Sequence, residues 1–185
     1  MAAETETSQE TLRAGLDHIR QSPRTTGVLK LIVRRPRTET REVLDSGELD
    51  QAEGLVGDNW KQRGSSQTPD GSANPETQLT LTNTRAMAVV APEQERWPLA
   101  GDQLYVDFDL SVDNIPPGTR LALGEALIEI TEPPHTGCKK YAARFGLEAL
   151  KFISTPEGKR LQLRGVNAKV VRPGAIRVGD AVRKL

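Results

Sequence analysis

Short apolar runs separated by turn residues dominate the chain from Gly27 onward. The first run, residues 28–33, is closed by Arg-Arg-Pro, and residues 40–44 are predicted to be its hairpin partner. Further strands are predicted at 79–82, 87–90, 104–108, 120–123, 126–131, 160–171, 176–178 and 181–183. Each is bounded by Gly, Pro, Asn or Asp, which favour turns. This pattern indicates a mainly β fold, a closed or nearly closed β-barrel with a few short helices, because closure removes exposed strand edges.

The N-terminal segment follows a helical period instead. Within residues 7–21, Leu12, Leu16 and Ile19 recur on one face of a helix. Thr7 and Glu10 have the spacing of a capping box, and the proline at position 23 ends the helix. We therefore predict a helical appendage over residues 1–26, packed against the body or a partner, ahead of a barrel domain over residues 27–185.

A second helix is predicted over residues 139–153. Tyr141, Phe145 and Ala149 form one row of this helix, which is more typical of a packed core than of a cofactor site. Gly146 lies inside the segment and is a point where the helix can divide in two. Residues 58–76, in contrast, are polar and rich in Gly, Ser and Pro. They are predicted to form a long loop, either a functional lid or a disordered excursion.

Composition narrows the class of protein. The 185 residues carry 25 Lys+Arg and 25 Asp+Glu, so no net charge favours nucleic acid or an anionic membrane as the partner. No apolar stretch approaches the roughly 20 residues that span a bilayer, and the acidic, polar N-terminus is unlike a targeting signal. The single cysteine excludes an internal disulfide and suits a reducing compartment, so we expect a cytoplasmic protein. The oligomeric state leaves no trace in the sequence.

That cysteine, Cys138, follows a Pro-Pro-His-Thr-Gly turn and precedes the second predicted helix. Unpaired N–H groups at a helix start, together with Lys139 and His135, would favour a thiolate, the form that attacks sulfur or binds a soft metal. The alternative is a buried cysteine that acts as a small hydrophobic residue. A cysteine hydrolase is disfavoured because His135 is too close in sequence to act as the base. Zinc is disfavoured because only two ligands are at hand.

The motifs taken together resemble the MOSC family, named for the C-terminal domain of molybdenum-cofactor sulfurases. The resemblance extends from about residue 27 to residue 185, and its most specific part is Pro-His-Thr-Gly-Cys followed by Arg-Phe-Gly. The other matching segments, in chain order, are 55–58, 78–81, 99–102, 113–114, 118–124, 164–168 and 174–180. One departure is Trp60, which stands where many relatives have histidine.

The resemblance implies a β-rich barrel that binds a molybdenum cofactor (molybdopterin), and it implies no pyridoxal phosphate. By position, Cys138 would carry sulfur as a persulfide or ligate molybdenum, as in enzymes that reduce N-hydroxylated compounds. The resemblance, together with the charges of these side chains, suggests a set of cofactor-binding residues: Lys139, Arg144, Asp58, Asn114, Arg164, Asn167 and His135. The expected partner is a small-molecule substrate or a protein that donates or accepts sulfur. The alternative is a non-catalytic binding module that keeps the barrel without the cofactor.

Overall fold

The computed structural model describes residues 8–185. In this part of the chain the helices are α1 (Gln9–Ala14), α2 (Leu16–Arg20), α3 (Trp60–Arg63), α4 (Thr84–Val90), α5 (Lys139–Phe145), α6 (Leu147–Ser154) and α7 (Pro156–Arg160). The strands are β1 (Thr26–Arg34), β2 (Glu42–Leu44), β3 (Ser46–Asp50), β4 (Gly54–Leu55), β5 (Leu79–Asn83), β6 (Leu104–Asp107), β7 (Arg120–Leu123), β8 (Ala126–Ile130), β9 (Val166–Arg172), β10 (Gly174–Arg177) and β11 (Ala181–Lys184). Two 3₁₀ segments, Pro75–Thr77 and Gln94–Ala100, complete the elements.

Seven of the strands described here close into a barrel. Their order is β11-β7-β8-β9-β5-β6-β1, and β1 pairs with β11 to complete the ring. The β5–β6 pair is parallel and the other neighbours are antiparallel. β2 pairs with β1 as an eighth strand, and β10, β3 and β4 form a separate small sheet. The prediction of a mainly β, closed barrel is confirmed.

Two hydrophobic clusters fill and cover this barrel. Along β6, Leu104 and Val106 point into the barrel interior, whereas Tyr105 joins the outer cluster beneath the helices. In β1 the pairing with β6 shifts between Leu29 and Leu31, so the strand changes which residues face inward. Complete burial of a side chain such as Leu104 or Val106 stabilises the fold by roughly 1.5–3 kcal/mol.

The N-terminal helices belong to the outer cluster. Leu12 and Ile19 are buried there together with residues of α4 and α6, so this segment packs against the barrel. The predicted single helix is instead two helices that meet at Gly15, where a Cβ atom would lie 2.4 Å from the side chain of Val89. Thr7 lies outside the described residues, and the cap of α1 is Ser8, whose Oγ accepts a hydrogen bond from the Thr11 N–H. The division into two domains stays a prediction.

Several predicted elements differ from the structure. The apolar run at 87–90 is the end of α4, which begins where the Asn83 side chain caps the Arg85 N–H. A short apolar run does not distinguish a buried helix from a strand. The first half of the strand predicted at 160–171 is instead the end of α7 and a turn. Strands β3 and β4 were not predicted.

The helical segments near Cys138 agree better with the sequence. The helix predicted over 139–153 divides at Gly146, whose φ of +91° lies in the left-handed region. The loop predicted over 58–76 contains the short helix α3. Within residues 8–185 the helices are all too short or too polar to cross a membrane.

Candidate functional site

A cavity of about 550 Å³ opens between the β1–β2 connection, the segment around α3 and the segment before α5. This volume is in the range of small-molecule sites. Seven permanently charged cationic side chains line it: Arg35, Arg37, Arg41, Arg63, Lys140, Arg144 and Arg164. Among the described residues Glu39 is the one carboxylate in the lining. Because the whole chain has no net charge, this local excess of positive charge favours an anionic ligand.

Arg35 is fixed by a buried carboxylate behind the cavity wall. Its Nε and Nη2 donate to the two oxygens of Asp58, at 2.9 and 2.8 Å, and its Nη1 donates to the Gly101 carbonyl. The Asp58 side chain is 0% exposed and also accepts from the N–H groups of Arg35 and Trp60. Asp58 was predicted to bind the cofactor directly, but it lies behind the wall and does not line the cavity. Its role is to hold Arg35 there in a two-point geometry.

Arg164 is also held by a buried carboxylate, that of Asp102, through one hydrogen bond. Arg164 Nη1 donates to Asp102 Oδ2 at 2.7 Å, and Nη2 donates to the Ala100 carbonyl. The guanidinium also lies 5.1 Å from the centre of the Tyr141 ring. Burial alone would raise the pKa of Asp102, but the charge of Arg164 and the hydrogen bond with His135 lower it to about 2. Asp102 is therefore ionised at neutral pH. Arg35 and Arg164, each held by a buried carboxylate, are called the inner arginines below.

His135 completes this network. Its Nε2 lies 2.8 Å from Asp102 Oδ1, and the ring lines the cavity. Burial, together with the charge of Arg164, lowers the pKa of His135, and the hydrogen bond to Asp102 opposes that shift only in part. The imidazole is therefore neutral at neutral pH. Because an ionised carboxylate only accepts hydrogen bonds, Nε2 carries the proton and Nδ1 is left as an acceptor.

The sequence after Arg164 explains how these groups are positioned. Gly165 has a φ of +106°, and a Cβ atom there would lie 2.2 Å from the Leu81 carbonyl oxygen, so only glycine fits against β5. Two residues later, the Asn167 Nδ2 donates to the Pro133 carbonyl at 2.9 Å. Asn167 thus ties β9 to the segment that carries His135 and Cys138.

Cys138 is exposed, so the interpretation as a buried hydrophobic residue is wrong. It is the residue before α5, and its side chain does not cap the helix. Gly137 brings the loop close to α6, since a Cβ atom there would lie 2.5 Å from the Leu150 side chain. Cys138 does not itself line the cavity, but Thr136 and Lys140 on either side of it do. Its role as a nucleophile or metal ligand stays a prediction.

The structure brings together only part of the predicted set. His135, Arg144, Arg164 and Asn167 all line the cavity, whereas the exposed Lys139 does not. Asn114 is also elsewhere in the fold, which corrects its predicted place in the pocket. Its side-chain amide donates to the carbonyls of residues 24 and 109, and its Oδ1 accepts from the ammonium of residue 184. Asn114 is thus a structural bridge.

Sequence reasoning missed most of the cationic wall. Arg41 and Arg63 both have a lowered pKa, caused first by burial and then by neighbouring arginines, which shows how closely the guanidinium groups are gathered. Arg35 was visible only as part of a strand-ending Arg-Arg-Pro, and Asp102 only as the last residue of the 99–102 motif. The sequence feature that marks both residues is a charged side chain directly after a buried strand, for Arg35, or after a turn, for Asp102.

The outer part of the wall is built from Lys140 and Arg144, which we call the outer cations. Arg144 Nη1 donates to the Leu99 carbonyl at 2.8 Å, and its Nη2 donates to Glu39 at 2.6 Å. Lys140 Nζ donates to the other oxygen of Glu39 at 3.2 Å. The α5 helix places the two cations one turn apart, so both reach the same face.

Comparison with known structures supports the barrel assignment. The YuaD protein from Bacillus subtilis superimposes with a TM-score of 0.63 at 16% identity, covering 88% of this chain and 97% of that one. YiiM from Escherichia coli gives 0.55 at 19% identity, covering 85% and 69%. YiiM from Geobacillus stearothermophilus gives 0.53 at 14% identity, covering 89% and 74%. At these identities the likeness shows the fold alone.

Comparison of the sequence with families identifies the domain. No curated protein matched the chain. The sequence model of the MOSC domain matches residues 68–183, which is more than half of the chain and includes Asp102, His135, Cys138 and Arg164. The resemblance inferred from the sequence motifs is thereby confirmed. The chain belongs to the MOSC domain family, which is associated with molybdenum cofactor binding or sulfur transfer.

Proposed function

We propose that this protein binds the phosphate-bearing pterin of a molybdenum cofactor in the cationic cavity. We further propose that Cys138, beside the cavity, ligates molybdenum or carries sulfur as a persulfide. The observation that supports this proposal is the combination of seven cationic lining residues with an exposed thiol two positions from the lining residues Thr136 and Lys140. Reduction of N-hydroxylated compounds is the reaction we would test first.

The residues present fit an anionic group of this kind. Even when Glu39 and the two buried carboxylates Asp58 and Asp102 are counted, four positive charges of the wall remain uncompensated. Within residues 8–185 no hydrogen bond or ion pair engages the guanidinium of Arg63, so its charge is available to a ligand. The Oδ1 of Asn59, another lining residue, is buried without a hydrogen-bond partner, which leaves an acceptor for a donor group of the ligand.

Each part of the wall has a distinct task in this proposal. The inner arginines present fixed positive charge, because their carboxylate partners hold them before any ligand arrives. The outer cations bind the phosphate. Neutral His135 accepts a hydrogen bond through Nδ1 and can take a proton there, while Asp102 holds its Nε2 proton.

Cys138 is the residue we expect to contact the metal. Residues 8–185 contain no cluster of three or more His, Cys, Asp or Glu side chains that could hold a metal ion by themselves. A metal would therefore reach the protein through the soft sulfur of Cys138, with the remaining ligands coming from the cofactor. When bound, the cofactor would supply the redox chemistry of molybdenum.

The test is the composition of the purified protein. Wild-type protein and the Cys138→Ala variant are purified from a bacterial host that makes the cofactor. Molybdenum is measured by mass spectrometry of the metal, pterin by fluorescence, and persulfide by intact-protein mass. We expect pterin in both proteins and molybdenum or persulfide only in the wild type. If pterin is absent from both proteins, or if neither molybdenum nor persulfide depends on Cys138, the proposal is wrong.

The second candidate is a binding module that keeps the barrel without redox or sulfur chemistry. The observation that favours it is that Cys138 lies outside the cavity lining. This candidate requires that the cavity bind a phosphate-bearing ligand equally well in the wild type and in Cys138→Ala. It also requires slow alkylation of Cys138 by iodoacetamide at neutral pH, whereas a sulfur carrier reacts quickly.

A further inference from the structure

Glu39 occupies an unusual place in this wall. It is the one carboxylate in the cavity lining of the described chain, and its two oxygens accept hydrogen bonds from Arg144 Nη2 and Lys140 Nζ. The outer cations therefore already hold an anion, and that anion comes from the protein itself. Because a carboxylate and a phosphate present similar oxygen pairs, the contact marks a subsite that fits a phosphate group.

The backbone at Glu39 is strained. Its φ is +59°, in the left-handed region, which a residue with a long side chain rarely adopts. Such conformations persist where the surrounding contacts compensate for them, and they concentrate at ligand clamps and switches. Glu39 lies in a turn closed by the Thr40 N–H, which donates to the Arg37 carbonyl at 3.1 Å, and this turn directs its side chain towards Lys140 and Arg144.

The two sides of this contact differ in how firmly they are held. The Arg144 side chain is 19% exposed and is anchored to the Leu99 carbonyl, whereas the Glu39 side chain is 58% exposed and lies on a loop. Exposed ion pairs of this type are weak. A competing anion would therefore displace Glu39 and leave Arg144 in place.

We propose that Glu39 is an internal competitor that occupies the phosphate subsite of Lys140 and Arg144, and that a phosphate-bearing ligand binds by displacing it. This inference rests on the proposed function only in using the same cavity. A phosphate carries up to two negative charges and three acceptor oxygens, so it outcompetes a carboxylate. A ligand with a single carboxylate gains little over Glu39. The device thus selects phosphates over carboxylates.

The experiment measures binding of inorganic phosphate by isothermal titration calorimetry at low salt. In Glu39→Gln the competitor loses its charge, and we expect phosphate to bind about fivefold more tightly, the fold-change that corresponds to the upper range for an exposed ion pair. The matched control is Glu157→Gln, since Glu157 also bridges two arginines, Arg20 and Arg160, but lies outside the cavity. It should leave phosphate affinity unchanged.

A second pair of variants tests the mechanism. Arg144→Gln should weaken phosphate binding. In the double variant Arg144→Gln/Glu39→Gln, the Glu39 substitution should no longer tighten phosphate binding, because the subsite that Glu39 blocks is then incomplete. The proposal is overturned if Glu39→Gln leaves phosphate affinity unchanged or lowers it, or if no variant binds phosphate. Pterin content of Glu39→Gln from the cofactor-making host distinguishes phosphate on the cofactor from free phosphate. Because the titration uses inorganic phosphate and no cofactor, it tests the role of Glu39 even if the purified protein contains no molybdenum, pterin or persulfide.

Discussion

Replacement of Asp102 by Asn perturbs the group that holds Arg164 and His135 in the cavity wall. Asparagine keeps the shape and one acceptor oxygen, but it removes the charge that the buried guanidinium faces at 2.7 Å. The Arg164 side chain is only 10% exposed, so water compensates poorly for the lost charge. The variant therefore leaves a charge buried without compensation.

The magnitude follows from two independent estimates. The pKa of Asp102 is lowered from 3.8 to about 2 in the folded protein, and at 1.36 kcal/mol per unit this contributes about 2 kcal/mol of stability. Removing one member of a buried ion pair costs about 3–5 kcal/mol. Because Asn retains one hydrogen bond, we expect a loss of about 3 kcal/mol at pH 7, which is roughly 6–12 °C in Tm for a domain of this size.

The pH dependence gives the prediction its sign. Since the folded pKa of Asp102 is depressed, its contribution is present above pH 4 and is lost as the pH falls from about 4 towards 2. Urea unfolding of wild type and Asp102→Asn should therefore show a difference that shrinks by about 2 kcal/mol as the pH falls below 4.

The matched control is Asp107→Asn. Asp107 also pairs with an arginine, Arg85, at 2.8 Å, but its side chain is 25% exposed. We expect this substitution to cost no more than about 1 kcal/mol. If the Asp102 and Asp107 variants lose the same stability, or if the Asp102 difference does not change with pH, the argument that a buried charge holds the wall is refuted.

Three further predictions address neighbouring residues. Gly165→Ala should lower the free energy of unfolding by more than about 2 kcal/mol, because the added Cβ meets the backbone of β5. Gly118→Ala, also at positive φ but with open space around it, should lower it by about 1 kcal/mol. Equal losses in urea unfolding would argue against the steric explanation. Cys138→Ala should leave Tm within about 1–2 °C of wild type, because the side chain is exposed and makes no capping hydrogen bond; a larger drop would show a packing role. His135 should titrate below its ordinary pKa of 6.5 by proton NMR. The folded state should lose stability as the pH falls below 6.5, because the largely buried ring must then be charged beside Arg164. A raised pKa would contradict the assignment of a neutral imidazole.

The strands were predictable where burial alternates between well-marked turns. β7 and β8, for example, lie on either side of a tight turn at Gly124, and their residues alternate between buried and partly exposed. The α4 helix was not predictable in this way. Its run of apolar residues packs on several sides between the N-terminal helices and the barrel, so the side-chain pattern shows no helical period.

The site was predictable where functional residues adjoin turn motifs. His135 follows a double proline and Arg164 precedes a glycine, so both stand out locally. Their partners did not. Asp102 is 62 residues from Arg164, and Asp58 is 23 residues from Arg35. Nothing in the local sequence distinguishes a carboxylate that will meet a distant arginine from one that will face water, because closure of the barrel decides which ends of strands come together.

The two kinds of cation in this cavity should therefore respond differently to substitution. The inner arginines are held by buried carboxylates, so they need no ordering when a ligand arrives, and their removal leaves Asp58 or Asp102 buried without its cationic partner. Loss of an inner arginine must then reduce stability together with binding. Within residues 8–185 the ion pairs of the outer cations are those with the exposed Glu39, and Arg144 also donates to the Leu99 carbonyl. Their loss should therefore reduce binding and cost little stability. A cavity built in this way separates the residues that maintain its shape from those that exchange one anion for another.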